Sequence, residues 1–258
     1  MKSKALLLSV ALTAGMAIPA LAAQPASAAT LGSCGSPHLV RTTAPAVKVG
    51  VTYQRTLSYT AYLDDACLSH GVRSQGVAVE IGRGDYGDFQ EARYVGTSGG
   101  HQVWRATFGF DPRAGIFSSQ WLSNDMAGAW ASRVTVMDAK GQPSVLGGTG
   151  FRLQRFSTIK GTNAAEPTRA GTPQLVVGQL QRASWDDNHY HGHTGQLVDL
   201  QFRTMTGSYR TIKTVKSGTN GSLRATVTAR VDGCYRWSYR GATTTPAATA
   251  SGDCVDVI

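Results

Sequence analysis

Residues 185–203, WDDNHYHGHTGQLVDLQFR, gather two aspartates and three histidines ahead of an alternating apolar run. Asp187, His189, His191 and His193 share one parity. On a straight strand their side chains would point to one face, about 7 Å apart. Imidazoles and a carboxylate so spaced could bind Zn²⁺ or Cu²⁺ if the chain curved. That makes the Asp186–His193 loop the place to look for a metal-dependent enzyme. Against this, Gly192 and the Thr194-Gly195 pair interrupt the run, and the other histidines (His38, His70 and His101) lie far away in sequence. The expectation is therefore a solvated loop with no metal and no cofactor.

Other reactive patterns are thinner. Arg83-Gly84-Asp85, within GRGDYGD, reads as a glycine-rich hairpin turn, and Asp85 and Asp88 are too few for a calcium loop. There is no G-x-S-x-G, no H-E-x-x-H and no C-x-x-C. No catalytic residue can be named, and the sequence points to a protein that binds without catalysing.

The chain opens with Lys2 and Lys4, an apolar stretch, and small-residue cleavage patterns at Ala26–Ala28 or Ala20–Ala22. Residues 1–28 thus read as a secretory signal. LGSC at Leu31–Cys34 loosely resembles a lipoprotein box, but the apolar stretch ends too early for it. No later run is apolar enough to span a bilayer. The mature protein is expected to be secreted and extracellular.

Four cysteines in an exported chain read as two disulfides. Three connectivities are open, and sequence proximity favours Cys34–Cys67 with Cys234–Cys254. The net charge is +9, of which two leave with Lys2 and Lys4, so the mature chain carries +7. No basic run with interleaved aromatics occurs, so nucleic acid is not an expected partner.

Helical signals are scarce. Short runs of period two recur, among them Val47–Leu63, GVAVEI at Gly76–Ile81, QVWRATFGF at Gln102–Phe110 and QLVVGQLQRA at Gln174–Ala183. Gly, Asn and Asp separate them. Such runs predict antiparallel sandwiches and an all-β fold. Residues 159–172, which include GTNAAEPTRAGT, read as a linker. The expected division is an N-terminal β-sandwich over 30–158 and a C-terminal one over 173–258.

A shift of 119 residues lays Gly76 on Gly195 and Arg105-Ala106-Thr107 on Arg224-Ala225-Thr226. Two copies of one sandwich would produce this match. The first copy carries extra residues around Ala114–Ala127. Trp104, Trp130, Trp185 and Trp237 lie in or beside strand-like runs and are expected in cores. Trp121, in the insertion, is expected to be exposed.

The second part carries a more specific pattern: GQLVDLQFR, then YRTIKTVKSGTNGSLRATVTA, then CYRWSYRGATTTP and a terminal VDV. This resembles the secreted immunoglobulin-like β-sandwich domains common in actinobacteria such as streptomycetes. GAWASRVTVMDAKG at Gly128–Gly141 resembles an edge of similar domains. The resemblance implies two immunoglobulin-like antiparallel β-sandwich domains in tandem, and export. It implies no catalytic residues. Cys234 and Cys254 depart from the family pattern and would clamp the YRW strand to the last strand.

The partners expected are another extracellular protein, or a cell-wall polymer or glycan. Loop placement nominates Trp121, Tyr86, His189, Tyr190 and His191 as contacts.

Overall fold

The computed structural model describes residues 38–64, 76–113, 121–137 and 143–258. Cys34, Cys67, the signal segment and residues 114–120 of the insertion lie outside them. Among the described residues the regular structure is strand, with two short 3-10 turns and no α-helix. Among these described residues, no helix is long and apolar enough to cross a membrane.

The first sandwich runs β1 (Leu39–Thr43), β2 (Val47–Val49), β3 (Arg55–Asp64), β4 (Val77–Arg83), β5 (Tyr86–Glu91), β6 (Arg93–Ser98), β7 (His101–Phe110), β8 (Gly128–Met137), β9 (Pro143–Gly147) and β10 (Phe151–Arg155). One sheet has the order β1-β3-β7-β6. The other has β2-β10-β8-β4-β5, with β9 also on β8. β2 runs parallel to β10, while the other pairs are antiparallel. This is the immunoglobulin arrangement, with β1, β3, β7 and β6 on one face and the remaining strands on the other.

Alternation explains why these strands pair face to face. Leu57, Tyr59, Ala61 and Leu63 of β3 are fully buried, as are Val79 and Ile81 of β4. Their intervening neighbours lie nearer solvent, so each sheet has one apolar face to cover. Phe110, Trp130 and Phe151 close the core with ring centroids 5.8 to 6.2 Å apart. The long alternating stretch at Val47–Leu63 is two strands rather than one, separated by Gly50–Gln54.

The second sandwich runs β11 (Ser157–Ala164), β12 (Pro173–Ser184), β13 (His189–Gly192), β14 (Leu197–Thr204), β15 (Arg210–Lys216), β16 (Ser222–Thr228), β17 (Gly233–Tyr239), β18 (Ala248–Thr249) and β19 (Asp253–Val255). β12 is flanked by β11 and β16 and also pairs with β13. β14 lies between β15 and β17, and β17 carries β18 and β19. Cys234 and Cys254 face each other across β17 and β19 and form a disulfide. It clips neighbouring strands of one sheet and closes a loop of 20 residues, worth about 3 kcal/mol if unstrained.

The repeat extends to burial. Under the same shift, Leu57 falls on Val176, Val79 on Val198, Ile81 on Leu200, Trp104 on Leu223 and Ala106 on Ala225, and all ten are buried. β3–β7 corresponds to β12–β16, and β4 sits between β5 and β8 as β14 sits between β15 and β17.

The linker expected at 159–172 is not a linker. Its first six residues lie in β11, which pairs with β12 from Ser157↔Arg182 to Ala164↔Val176. Beyond it, Thr168, Ala170 and Gly171 donate backbone hydrogen bonds to Asp256, Ile258 and Ala229. Small polar residues read as coil in sequence, but at a sheet edge their backbone groups find partners and need no apolar side chain. Phe156 alone separates β10 from β11.

Candidate functional site

Residues 185–192 belong to a hairpin. β12 and β13 pair from Ser184↔His189 to Gln181↔Gly192. Trp185–Asn188 form the turn, with Asn188 at φ 57°. Asp187 stabilises that turn: it accepts from the His189 backbone at 3.2 Å, while its own carbonyl meets His189 Nδ1 at 2.6 Å. Its carboxylate also meets His191 Nε2 at 2.6 Å. Hydrogen bonding from Ser184, then from His191, holds the Asp187 carboxyl down at about 2.

The shared parity does not hold beyond this pair. His189 and His191 are exposed on β13, whereas His193 lies past the strand end. The His193 ring stands edge-on to Tyr239 at 5.9 Å and is half-buried. Burial, reinforced by Arg182 and Arg155, pushes it down to about 4. Among the described residues, no group of three His, Cys, Asp or Glu side chains is placed to hold a metal ion. A metal centre built from Asp187, His189, His191 and His193 is therefore not what this geometry supplies. The hairpin turn consumes Asp187 and separates His193 from the others.

Gly192 ends β13 for a packing reason. A methyl group there would overlap the Asn220 backbone of the 3-10 turn Thr219–Gly221.

Trp185 turns away from its own sandwich. Its ring is buried in the first core with Ala183, and its indole N–H donates to the Val49 carbonyl at 3.2 Å. Asn124, in the 3-10 turn Asn124–Met126 of the insertion, grips the same hairpin. Its backbone N–H donates to Asp186 at 2.9 Å, its amide donates to Ser184 at 3.1 Å and to Asp186, and its amide oxygen accepts from the Trp185 backbone at 2.9 Å. Further along the seam, the Arg155 guanidinium donates to the Ala183 carbonyl at 2.7 Å, Phe156 N–H to Val49 O at 2.8 Å, and Gln154 to Ala242 O at 2.9 Å. The hairpin expected to be a solvated loop is a clasp between two sandwiches. Asn124 was the missed residue, and nothing in its sequence surroundings distinguishes it from an ordinary turn former.

The nominated contact residues fall along this seam. Tyr86 donates its hydroxyl to Asp125, next to Asn124, and this bond raises the phenol above its usual range. Trp121 is 74 % exposed, three residues before Asn124. Tyr190 faces inward, packed against the first core, and lines a cleft of about 150 Å³ with Tyr53, Arg55 and Phe156. His189 and His191 remain open to solvent.

Arg83-Gly84-Asp85 sits at the β4–β5 hairpin, where Arg83 pairs with Tyr86 and Gly84 takes φ 59°. A two-residue turn with a positive first φ favours glycine there. Asp88 points inward from β5, where burial pushes its carboxyl up to about 6. Asp199, buried in β14, accepts from the Arg240 guanidinium at 2.9 Å and from Thr214 at 2.7 Å.

Fold and seam together define a tandem immunoglobulin-like protein whose sandwiches meet through a shared tryptophan. No protein-family model matches the sequence, and no curated protein matches it. Among solved structures, it is similar to dimeric latent PorU from Porphyromonas gingivalis at 12 % identity and TM-score 0.29, over 88 % of this chain and 20 % of that one. It is also similar to fibronectin(III)-like modules of CbhA from Clostridium thermocellum, at 12 % identity and TM-score 0.31, over 84 % of this chain and 93 % of that one. The D0-D1 domain of intimin aligns at 14 % identity and TM-score 0.27, over 86 % of this chain and all of that one. The chain thus spans about a fifth of the length of PorU.

Proposed function

We propose that this chain is an exported, non-catalytic binding or adaptor protein that recognises another extracellular protein or a cell-surface component. The observation carrying this reading is the seam. The side chains best suited to chemistry, Asp186 and Asp187, are committed to Asn124, to the hairpin turn and to His191. Exposed Trp121 lies three residues before Asn124 in the chain. An exposed indole near hydrogen-bonded polar groups suits recognition, because it supplies a large contact area with few rotatable bonds. The signal-like N-terminus and the disulfide support an extracellular setting.

The test is capture from native culture fluid by the immobilised mature chain, followed by mass spectrometry. A specific partner is expected, and Trp121→Ala is expected to lose it. Absence of any partner on proteins and wall material alike, or a turnover activity that purifies with the chain, overturns the reading.

A glycan-binding reading has its own observation. Tyr53 is 72 % exposed and Phe156 is 40 % exposed, and both line one cleft with Tyr190. Rings at a cleft mouth can stack on sugar faces. Retention on insoluble wall glycan, lost in Tyr53→Ala, would favour it over a protein partner.

A further inference from the structure

A second cleft at the seam, of about 380 Å³, has a different character. Lys48 of β2, Arg152 of β10 and Arg240, just past β17, converge on it from three separate segments. Gln154 and the turn that includes Thr243 and Thr245 complete the lining, with no carboxylate and no aromatic ring. Lys48 and Gln154 are register partners across β2 and β10, so they are brought side by side.

The turn is held in place from both sides. Gln154 donates to the Ala242 and Thr243 carbonyls at 2.9 and 3.3 Å, Arg155 N–H donates to Thr244 O at 3.0 Å, and Ser157 donates to Pro246 O at 2.7 Å. Behind Thr245 stands Arg182, half-buried, with its guanidinium 3.5 Å from the Thr245 hydroxyl. Arg155 is close enough to Arg182 for repulsion between them to be felt. Neither forms an ion pair among the described residues; Asp186 and Asp187 offset part of the Arg155 charge. Asp199 neutralises Arg240 in part. The remaining positive charge is uncompensated by any group lining the cleft.

We propose that this cleft binds a phosphate or sulfate group carried on a hydroxylated polymer. The inference rests on reading the chain as a binding protein, and it names the ligand class of one surface. Guanidinium forks match tetrahedral oxyanions, and ammonium adds a point charge. Threonine hydroxyls and turn peptides suit the hydroxylated backbone of such a polymer. A neutral sugar would find no ring to stack on. The volume is that of a small-ligand site.

The experiment is calorimetric titration of the mature chain with poly(glycerol phosphate), dextran sulfate and neutral dextran, each at low and high salt. One or both charged polymers are expected to bind, more weakly as salt screens the contact, and dextran is not. The double variant Lys48→Glu/Arg152→Glu changes exposed residues only. It is expected to weaken binding by about tenfold or more at low salt, with an unchanged melting temperature. Arg210→Glu/Lys216→Glu, on the exposed strand β15, makes the same change in net charge and is expected to bind almost as the parent does.

The inference fails if neither charged polymer binds, if neutral dextran binds equally, or if the two double variants weaken binding alike. If the cleft variant still captures its culture-fluid or wall partner as the parent does, the cleft is not the recognition surface and the binding reading stands. If the parent captures nothing, that broader reading falls as well.

Discussion

His193 and Asp88 pull the stability of this protein in opposite directions with pH. Burial, then Arg182 and Arg155, lowers His193 to about 4. The folded state therefore favours neutral imidazole, and its contribution is full above about 6.5 and drains as pH falls toward 4. Burial raises Asp88 to about 6, so its contribution is full below about 3.8 and drains as pH rises toward 6. Both groups are part-exposed, which reduces each effect to about 1 kcal/mol. Urea unfolding across pH 4 to 6.5 should show the two nearly cancelling in the parent. His193→Gln should leave stability falling with rising pH, and Asp88→Asn should leave it rising. A parallel response of the two variants would contradict the assignment.

At the scale of elements, the β12–β13 hairpin and the Asn124 turn are one device. Trp185 is 2 % exposed, within the core of the other sandwich. Trp185→Ala should cost about 3–5 kcal/mol, as large core truncations do. Asn124→Ala removes the three side-chain bonds of this grip, leaving its backbone N–H on Asp186, and should cost about 1–3 kcal/mol, since the Trp185 N–H loses its partner. Both are read by denaturant unfolding. Gly192→Ala should also destabilise, because β13 or the Thr219–Gly221 turn must move aside. If Gly192→Ala melts with the parent, the close approach at Asn220 is absent in solution.

For the whole molecule, the seam predicts coupling. Val49, Arg155, Phe156, Ala183 and Trp185 exchange hydrogen bonds across the junction, and one residue separates the sandwiches in sequence. Calorimetry of the parent should therefore show a single cooperative transition. Trp185→Ala should split it into two, because the tryptophan is the apolar part of the shared interface. Two transitions already present in the parent would show that the sandwiches unfold independently.

The sequence by itself determined the all-β class, most strands, the two-copy pattern and the core tryptophans. Alternation of apolar residues reports a half-buried strand directly, and Val79/Val198 or Trp104/Leu223 keep that pattern wherever the strand lies. Proximity also singled out Cys234 and Cys254, which sit opposite each other on β17 and β19. Only the tertiary structure decided the rest. β11 was hidden because an edge strand is stabilised by backbone pairing rather than by its small polar side chains. The role of Asp186 depended on Asn124, 62 positions away, and the cationic cleft on Lys48 meeting Arg152 and Arg240. Periodicity encodes which face of a strand is buried. Which distant loop a carboxylate or a guanidinium will meet depends on how two finished sandwiches dock, and no local pattern carries that.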